Sequence, residues 1–145
     1  MRRVYVDMDG VLCDFEAAMA AGRAAHPTVE YPQSRPGFYR GLSPMPGAVE
    51  AMHRLRADLE VDLWILTAPS VFNPLSYTEK RLWVEDHLGF DMCHRLIIAP
   101  DKSLLHGDVL IDDHSSGRGQ EKFRGRLLHY GSPAMPDWEA VLVHC

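Results

Sequence analysis

Short, mostly apolar runs alternate with amphipathic stretches along most of the chain. Continuous apolar runs of this kind are typical of parallel strands that are buried on both faces of a sheet. The runs that predict strands are Val4–Val6, Val61–Leu66, Leu96–Ala99, Val109–Ile111 and Leu127–Tyr130.

Between these runs, apolar side chains recur every three or four residues, as they do on the buried face of an α-helix. One helix is predicted to begin after Asp14, a residue type that caps helix N-termini, and to bury Phe15 and Met19. A second follows Pro46-Gly47, and a third ends at Gly89. The alternation predicts an α/β fold, a doubly wound three-layer sandwich around a mostly parallel sheet.

The segment from His26 to Pro46 interrupts this alternation. It contains five prolines together with the aromatic residues Tyr31, Phe38 and Tyr39. Connections of this length in a compact domain usually have a function, and exposed aromatic rings need a reason. We therefore predict one domain over residues 1–145, with a small cap or lid at about residues 26–46 over the mouth of the sheet. A proline-stiffened surface loop is the alternative.

The composition excludes several classes of protein. With 46% hydrophobic and 24% charged residues, the 145-residue chain is expected to fold as a globular domain. No apolar run approaches the roughly 18 residues of a membrane span, and the basic N-terminus lacks the apolar stretch of a secretory signal. Three widely spaced cysteines favour a reducing, cytoplasmic setting.

The charge argues against a polynucleotide partner. The formal net charge is −5, whereas proteins that bind nucleic-acid backbone are usually basic. One local basic cluster is present, and we expect it to lie on a solvated face: Arg118, Lys122, Arg124 and Arg126.

Polar residues follow four of the predicted strands. They are Asp7 and Asp9 after the first, Thr67 after the second, Lys102 shortly beyond the third, and Asp112 and Asp113 after the fourth. Because the carboxyl ends of parallel strands share one edge of a sheet, these side chains are expected to lie together. Carboxylate oxygens suit Mg²⁺, and a hydroxyl with an ammonium group suits phosphate oxygens. The set predicts a site for phosphoryl transfer.

Each residue alone also has a simpler explanation. Asp7 and Asp9 could form a turn before Gly10, and Lys102 could be a solvated surface lysine. The acidic pair could cap a helix that starts near Ser115. A shared site accounts for all four strand ends at once, so we favour it.

The same residues resemble the motifs of the haloacid dehalogenase superfamily of phosphotransferases. Asp7-Met8-Asp9-Gly10-Val11 is similar to its first motif, Thr67 to the second, Lys102 to the third and Asp112-Asp113 to the fourth. Longer runs resemble the 5'(3')-deoxyribonucleotidases within that superfamily: Val6–Glu16, Pro44–Met52, Lys80–Glu85, Asp101-Lys102 and Gly107–Asp113.

The resemblance implies a Mg²⁺-dependent phosphomonoesterase that hydrolyses nucleoside monophosphates, in particular deoxy forms, through an aspartyl-phosphate. Asp7 would be the nucleophile, and Asp9 would protonate the leaving oxygen and then activate water. Thr67 and Lys102 would hold the phosphate. Asp7, the backbone carbonyl of Asp9 and one of Asp112 or Asp113 would hold the metal, with Asp113 slightly favoured.

The resemblance also suggests how the nucleoside is recognised. Phe15 is similar to an aromatic residue that faces the base in the family, and Phe38 and Tyr39 are further candidates because stacking needs only a flat apolar face. Ala68 stands where the family has a substrate-contacting serine, so one hydroxyl is missing here. The family in higher organisms has a larger helical cap, which leaves nucleotide selectivity open for this chain.

Two other functions stay open at this point. The chain could act on another small phosphometabolite, such as a sugar phosphate, or it could bind a metabolite without turnover. The second alternative leaves the presence of both Asp7 and Asp9 unexplained. The expected partner is a small phosphomonoester, with no polynucleotide and no membrane. A homodimer is also expected, since the resembling family often dimerises.

Overall fold

A five-stranded parallel sheet forms the centre of the molecule in the computed structural model, which describes residues 1–145. The strands are β1 (Arg2–Val6), β2 (Val61–Thr67), β3 (Leu96–Ile98), β4 (Val109–Asp112) and β5 (Arg126–His129). Their order across the sheet is β3-β2-β1-β4-β5, so the first strand is central. The five predicted strands and the α/β class are confirmed, and the sheet is parallel throughout.

Helices connect the strands and contribute part of the core. They are α1 (Phe15–Ala25), α2 (Ala48–Ala57), α3 (Leu75–Leu88), α4 (Phe90–Cys93) and α5 (Trp138–His144), with short 3₁₀ turns at Pro32–Ser34, Lys102–Leu104 and Gln120–Lys122. The predicted N-cap of α1 is confirmed, because the Asp14 carboxylate accepts a hydrogen bond from the Ala17 amide at 3.1 Å. Gly89 ends α3 with a φ of 95°, a conformation that favours glycine. No helix is both long enough and apolar enough to cross a membrane.

The two faces of the sheet are buried differently. Val4 and Val6 of β1 belong to the main core, which also contains side chains of α2, α3 and α5. Tyr5 points to the other face and joins a smaller cluster that is completed by Phe123, a residue of a connecting loop. This alternation along one strand explains why β1 reads as an unbroken apolar run.

The register of the sheet brings the strand ends together. Val6 pairs with Ile65 of β2 on one side and with Ile111 of β4 on the other. The Asp7 amide continues the ladder by donating to the Ile111 carbonyl at 2.9 Å. Residues that directly follow β1, β2 and β4 therefore meet at one edge.

Candidate active site

A cavity of about 370 Å³ opens at the carboxyl edge of the sheet. With the exception of Phe38, every residue that the sequence predicts for the site lines this cavity: Asp7, Asp9, Phe15, Tyr39, Thr67, Ala68, Lys102, Asp112 and Asp113. The edge of a parallel sheet thus assembles in space what the sequence distributes over four strands.

Lys102 lies at the base of the cavity between two carboxylates. Its Nζ donates to Asp7 Oδ1 at 2.8 Å and to Asp112 Oδ2 at 2.6 Å. The residue is only 1% exposed, so a solvated surface lysine is the wrong description. Burial opposes the charge of Lys102, but Asp7 and Asp112 outweigh it and raise the pKa of the ammonium group. Lys102 therefore remains a cation inside the site.

The Asp7 carboxyl depends on this cation. Burial raises the pKa of Asp7 well above its ordinary value, and the neighbouring charges of Asp112 and Asp9 act in the same direction. The Lys102 ammonium opposes these effects. Lys102 is thus the group in the site that favours the charged form of Asp7, against burial and the neighbouring carboxylates.

Asp113 brings another carboxyl group against Asp7. The two groups lie close enough for Asp7 to influence the pKa of Asp113, and neither carboxylate can donate a hydrogen bond to the other when charged. Burial raises the pKa of Asp113, and the charge of Asp112 acts in the same direction. Gly10 permits the approach, because a Cβ at this position would overlap the Asp113 carboxyl and because its φ is +84°. A proton or a cation is needed between these groups.

Asp112 and Asp113 differ in burial and in the number of hydrogen bonds that their carboxylates accept within the protein. Asp112 is fully buried and accepts hydrogen bonds from Lys102, from Gln120 Nε2 at 3.3 Å and from the His114 amide at 2.9 Å. Asp113 keeps 24% of its side chain exposed and contacts His114 Nδ1 at 3.1 Å. Ligand atoms of Asp112, Asp113 and His114 lie within 4.8 Å of one another, an arrangement that could hold a metal ion. The structure has no helix near Ser115, so the capping explanation for this acidic pair is wrong.

Lys80 is a site residue that the sequence analysis missed. Its Nζ donates to Asp9 Oδ2 at 3.0 Å and to Thr67 Oγ1 at 2.8 Å, and the residue is 1% exposed. The other oxygen of Asp9, Oδ1, is buried and has no hydrogen-bond partner. A lysine that shares a helix face with the buried Ser76 and Trp83 was the available signal.

Aromatic rings form one wall of the cavity. Phe15 and Tyr39 stack with their centroids 6.3 Å apart and their planes 28° apart. Phe38 does not line the cavity, because its ring packs edge-on against Phe15 at 5.7 Å and Tyr39 at 5.2 Å. Phe38 thus supports the two lining rings in this structure, and its direct contact with substrate stays a prediction. Burial raises the pKa of Tyr39 to about 12, so its hydroxyl stays neutral.

Helix α3 fastens this wall to the rest of the domain. The Glu79 carboxylate accepts backbone hydrogen bonds from Gly37 at 2.9 Å, Tyr39 at 3.0 Å and Arg40 at 3.2 Å. One turn further along α3, Trp83 Nε1 donates to the Leu42 carbonyl at 2.8 Å. Residues 37–42 are thus held against α3 through their backbone.

Comparison with known proteins gives a consistent result. The family of 5' nucleotidase, deoxy (pyrimidine), cytosolic type C proteins matches residues 23–141. The human cytosolic 5'(3')-deoxyribonucleotidase is 33% identical, with 99% of this chain and 80% of that protein aligned. A candidate 5'(3')-deoxyribonucleotidase of Bordetella pertussis is 39% identical over 90% of this chain and 83% of its own length. The chain belongs to the 5'(3')-deoxyribonucleotidase family.

Membership of the deoxyribonucleotidase family confirms the resemblance, the fold class and the assignment as a hydrolase of phosphomonoesters. The relatives include proteins named as cytosolic and proteins named as mitochondrial, such as the human mitochondrial 5'(3')-deoxyribonucleotidase at 32% identity over 97% of this chain and 69% of its own length. The alignment with the human cytosolic relative runs over 172 positions, so that relative carries insertions with respect to these 145 residues.

Proposed function

We propose that this chain hydrolyses deoxyribonucleoside monophosphates to nucleoside and phosphate, with Mg²⁺ as cofactor and an aspartyl-phosphate as intermediate. The observation that carries the proposal is the pairing of two buried lysines with the two aspartates of the first motif. Lys102 contacts Asp7 and Lys80 contacts Asp9, at 2.8 Å and 3.0 Å. Each aspartate has a different environment, as a nucleophile and an acid–base residue require.

Asp7 is the proposed nucleophile. One of its oxygens forms a bond to phosphorus while the bond from phosphorus to the nucleoside oxygen breaks. Lys102 donates a hydrogen bond to Asp7, favours its charged form and offers a point charge to the phosphate oxygens. Thr67 holds a phosphate oxygen through its hydroxyl, which Lys80 orients. Water then attacks the aspartyl-phosphate, releasing phosphate and restoring the carboxylate.

Asp9 is the proposed acid and base. It gives a proton to the departing nucleoside oxygen, and it later takes a proton from the attacking water. Lys80 binds Oδ2, while Oδ1 makes no hydrogen bond with the protein. This leaves one oxygen anchored and the other available for proton transfer.

The donor set fits a hard divalent cation. Asp7 and Asp113 line the same cavity and both offer carboxylate oxygens, the ligands that Mg²⁺ prefers. Asp7, the backbone carbonyl of Asp9 and Asp113 are the proposed ligands, because Asp112 is already saturated by Lys102, Gln120 and a backbone amide. Bound Mg²⁺ would supply positive charge that lets a carboxylate approach a phosphate dianion. Asp112 would then orient Lys102.

The nucleoside is proposed to lie against Phe15 and Tyr39, whose stacked rings line the cavity. Residues 26–46 act as a reduced cap within the single domain of residues 1–145. Ala68 lines the phosphate end of the cavity without a hydroxyl, so Thr67 and Lys102 carry more of the phosphate contact.

We also propose a cytoplasmic location and a homodimer. Cell fractionation and sedimentation velocity test these two points.

Phosphate release from a panel of substrates tests the function. The panel contains 5'- and 3'-monophosphates of deoxyribonucleosides and ribonucleosides beside sugar phosphates, with Mg²⁺ or with a chelator. We expect metal-dependent release that favours deoxyribonucleotides, and no release by Asp7→Asn. Asp91→Asn, an exposed aspartate outside the cavity, is the matched control. A preference for sugar phosphates would refute the substrate assignment, and activity in Asp7→Asn would refute the mechanism.

A further inference from the structure

The cavity contains one cation that has no carboxylate partner. Asp7, Asp9, Glu16, Asp112 and Asp113 contribute five carboxyl groups to its lining. Lys102 is already paired with two of these groups, and Lys80, which lies behind the lining, is paired with a third. Arg118 lines the same cavity and forms no ion pair.

The backbone of Arg118 is fixed to the base of the site although its side chain is exposed. Its carbonyl accepts a hydrogen bond from the Lys102 amide at 2.7 Å. Its own amide donates to Gln120 Oε1 at 2.7 Å, and Gln120 Nε2 donates to Asp112 at 3.3 Å. The loop is therefore built onto the residues that surround the nucleophile.

The next residue shows that this loop has little freedom. Gly119 has a φ of +86°, and a Cβ at this position would overlap Asp101 Oδ1. Arg118 and Tyr39 line the same cavity, and the Arg118 charge opposes the rise that burial causes in the pKa of the Tyr39 hydroxyl. Arg118 is exposed, as predicted for the basic cluster, and it also lines the cavity.

We propose that Arg118 is a substrate-binding residue that pairs with the phosphate group of the nucleoside monophosphate at the rim of the cavity. The proposal rests on the proposed function and adds a recognition residue to it. A guanidinium presents a planar fork of donors that matches two phosphate oxygens, and this fork is free here because no protein carboxylate occupies it. It also compensates for the hydroxyl that is absent at Ala68.

Equilibrium binding of inorganic phosphate tests this assignment separately from turnover. Binding is measured by calorimetry in the presence of Mg²⁺ for the wild type, Arg118→Ala, Arg118→Lys and Arg124→Ala. Arg124 is an exposed arginine of the same loop that does not line the cavity, which makes it the matched control. We expect phosphate to bind Arg118→Ala about tenfold more weakly, the effect of one charge-assisted hydrogen bond at an accessible site.

The other variants refine the result. Arg118→Lys should recover part of the affinity, because it restores the charge without the fork, and Arg124→Ala should bind phosphate as the wild type does. The wild type and Arg118→Ala should converge at high salt, since an exposed charge is screened. KM for deoxyribonucleoside monophosphates should rise by a similar factor in Arg118→Ala.

Two results would overturn the proposal. The first is unchanged phosphate binding by Arg118→Ala, whether KM is unchanged or is raised because Arg118 contacts the nucleoside. The second is an equal loss of phosphate affinity in Arg124→Ala, because the effect would then come from the general charge of the loop. Failure of the proposed function has a different signature, namely absence of phosphate release from every substrate by the wild type. Phosphate binding by the four proteins can still be compared in that case.

Discussion

Removing the Glu79 carboxylate should loosen the aromatic wall of the cavity. Glu79→Ala leaves three backbone N–H groups of the cap segment without an acceptor. An orphaned buried donor costs about 1–3 kcal/mol, but only the Tyr39 bond is fully buried, and water reaches those of Gly37 and Arg40. We therefore expect a loss of about 2–4 kcal/mol in the free energy of unfolding. For a domain of this size that corresponds to a fall in Tm of roughly 5–15 °C.

Kinetics separate this effect from general destabilisation. At a temperature where Glu79→Ala remains folded, KM for a deoxyribonucleoside monophosphate should rise severalfold while kcat changes little, because the proposed contact of the wall is with the nucleoside rather than with phosphorus. KM for an aryl phosphate without a base should change less. Chemical denaturation supplies the free energy, and amide hydrogen exchange of residues 37–42 should show faster opening in the variant.

Glu85→Ala is the matched control on the same helix. Glu85 is exposed and pairs with Arg81 one turn away, so its removal should cost at most about 1 kcal/mol and leave KM unchanged. The reasoning would be refuted if Glu79→Ala were as stable as Glu85→Ala, or if it lowered kcat with KM unchanged.

Three further outcomes follow from the site and the sheet. Lys102→Met should abolish phosphate release and destabilise the fold by about 3–5 kcal/mol, since Asp7 and Asp112 lose their shared cation; a wild-type Tm would contradict this. Mg²⁺ at about 100 times its Kd should add about 2.7 kcal/mol of stability, and an unchanged Tm would argue against a preformed site. Burial acts to raise the pKa of Asp62, but hydrogen bonds from Arg3, Arg95 and Trp64 outweigh burial, so the pKa is lowered. The stabilisation from Asp62 is therefore present above about pH 4 and is lost as the pH falls through the lowered pKa. The free energies of unfolding of Asp62→Asn and of the wild type should then converge in acid. A difference that stays constant with pH would exclude this linkage.

The sequence predicted the base of the site because sheet geometry determines where residues after a strand must lie. Asp7, Thr67 and Asp112 come at the ends of three adjacent strands, and the register of the parallel sheet places these ends side by side. Lys102 could be placed by the same argument, although its burial between two carboxylates could not.

Residues on helices and loops were harder to predict. Lys80 lies 71 positions from its partner Asp9, and Gln120 lies 8 positions from its partner Asp112. The local sequence pattern does not specify which partner each of them reaches. Phe38 and Tyr39 are adjacent aromatics, and composition alone does not say which ring faces the cavity. Arg118 resembles its basic neighbours in sequence and differs from them only in where the loop places it.

The adjacent residues Glu79 and Lys80 make α3 serve two parts of the site, the aromatic wall and the acid–base aspartate. A helix turns by about 100° per residue, so one residue inserted between Thr67 and Glu79 would require the intervening loop to absorb the extra length or would rotate both side chains away from their partners. The exposed Phe72 in this stretch should therefore accept many substitutions, whereas the number of residues from Thr67 to Glu79 should tolerate little variation. Length is therefore a constraint on this part of the chain in addition to the identity of its buried polar residues, such as Asn73 and Ser76.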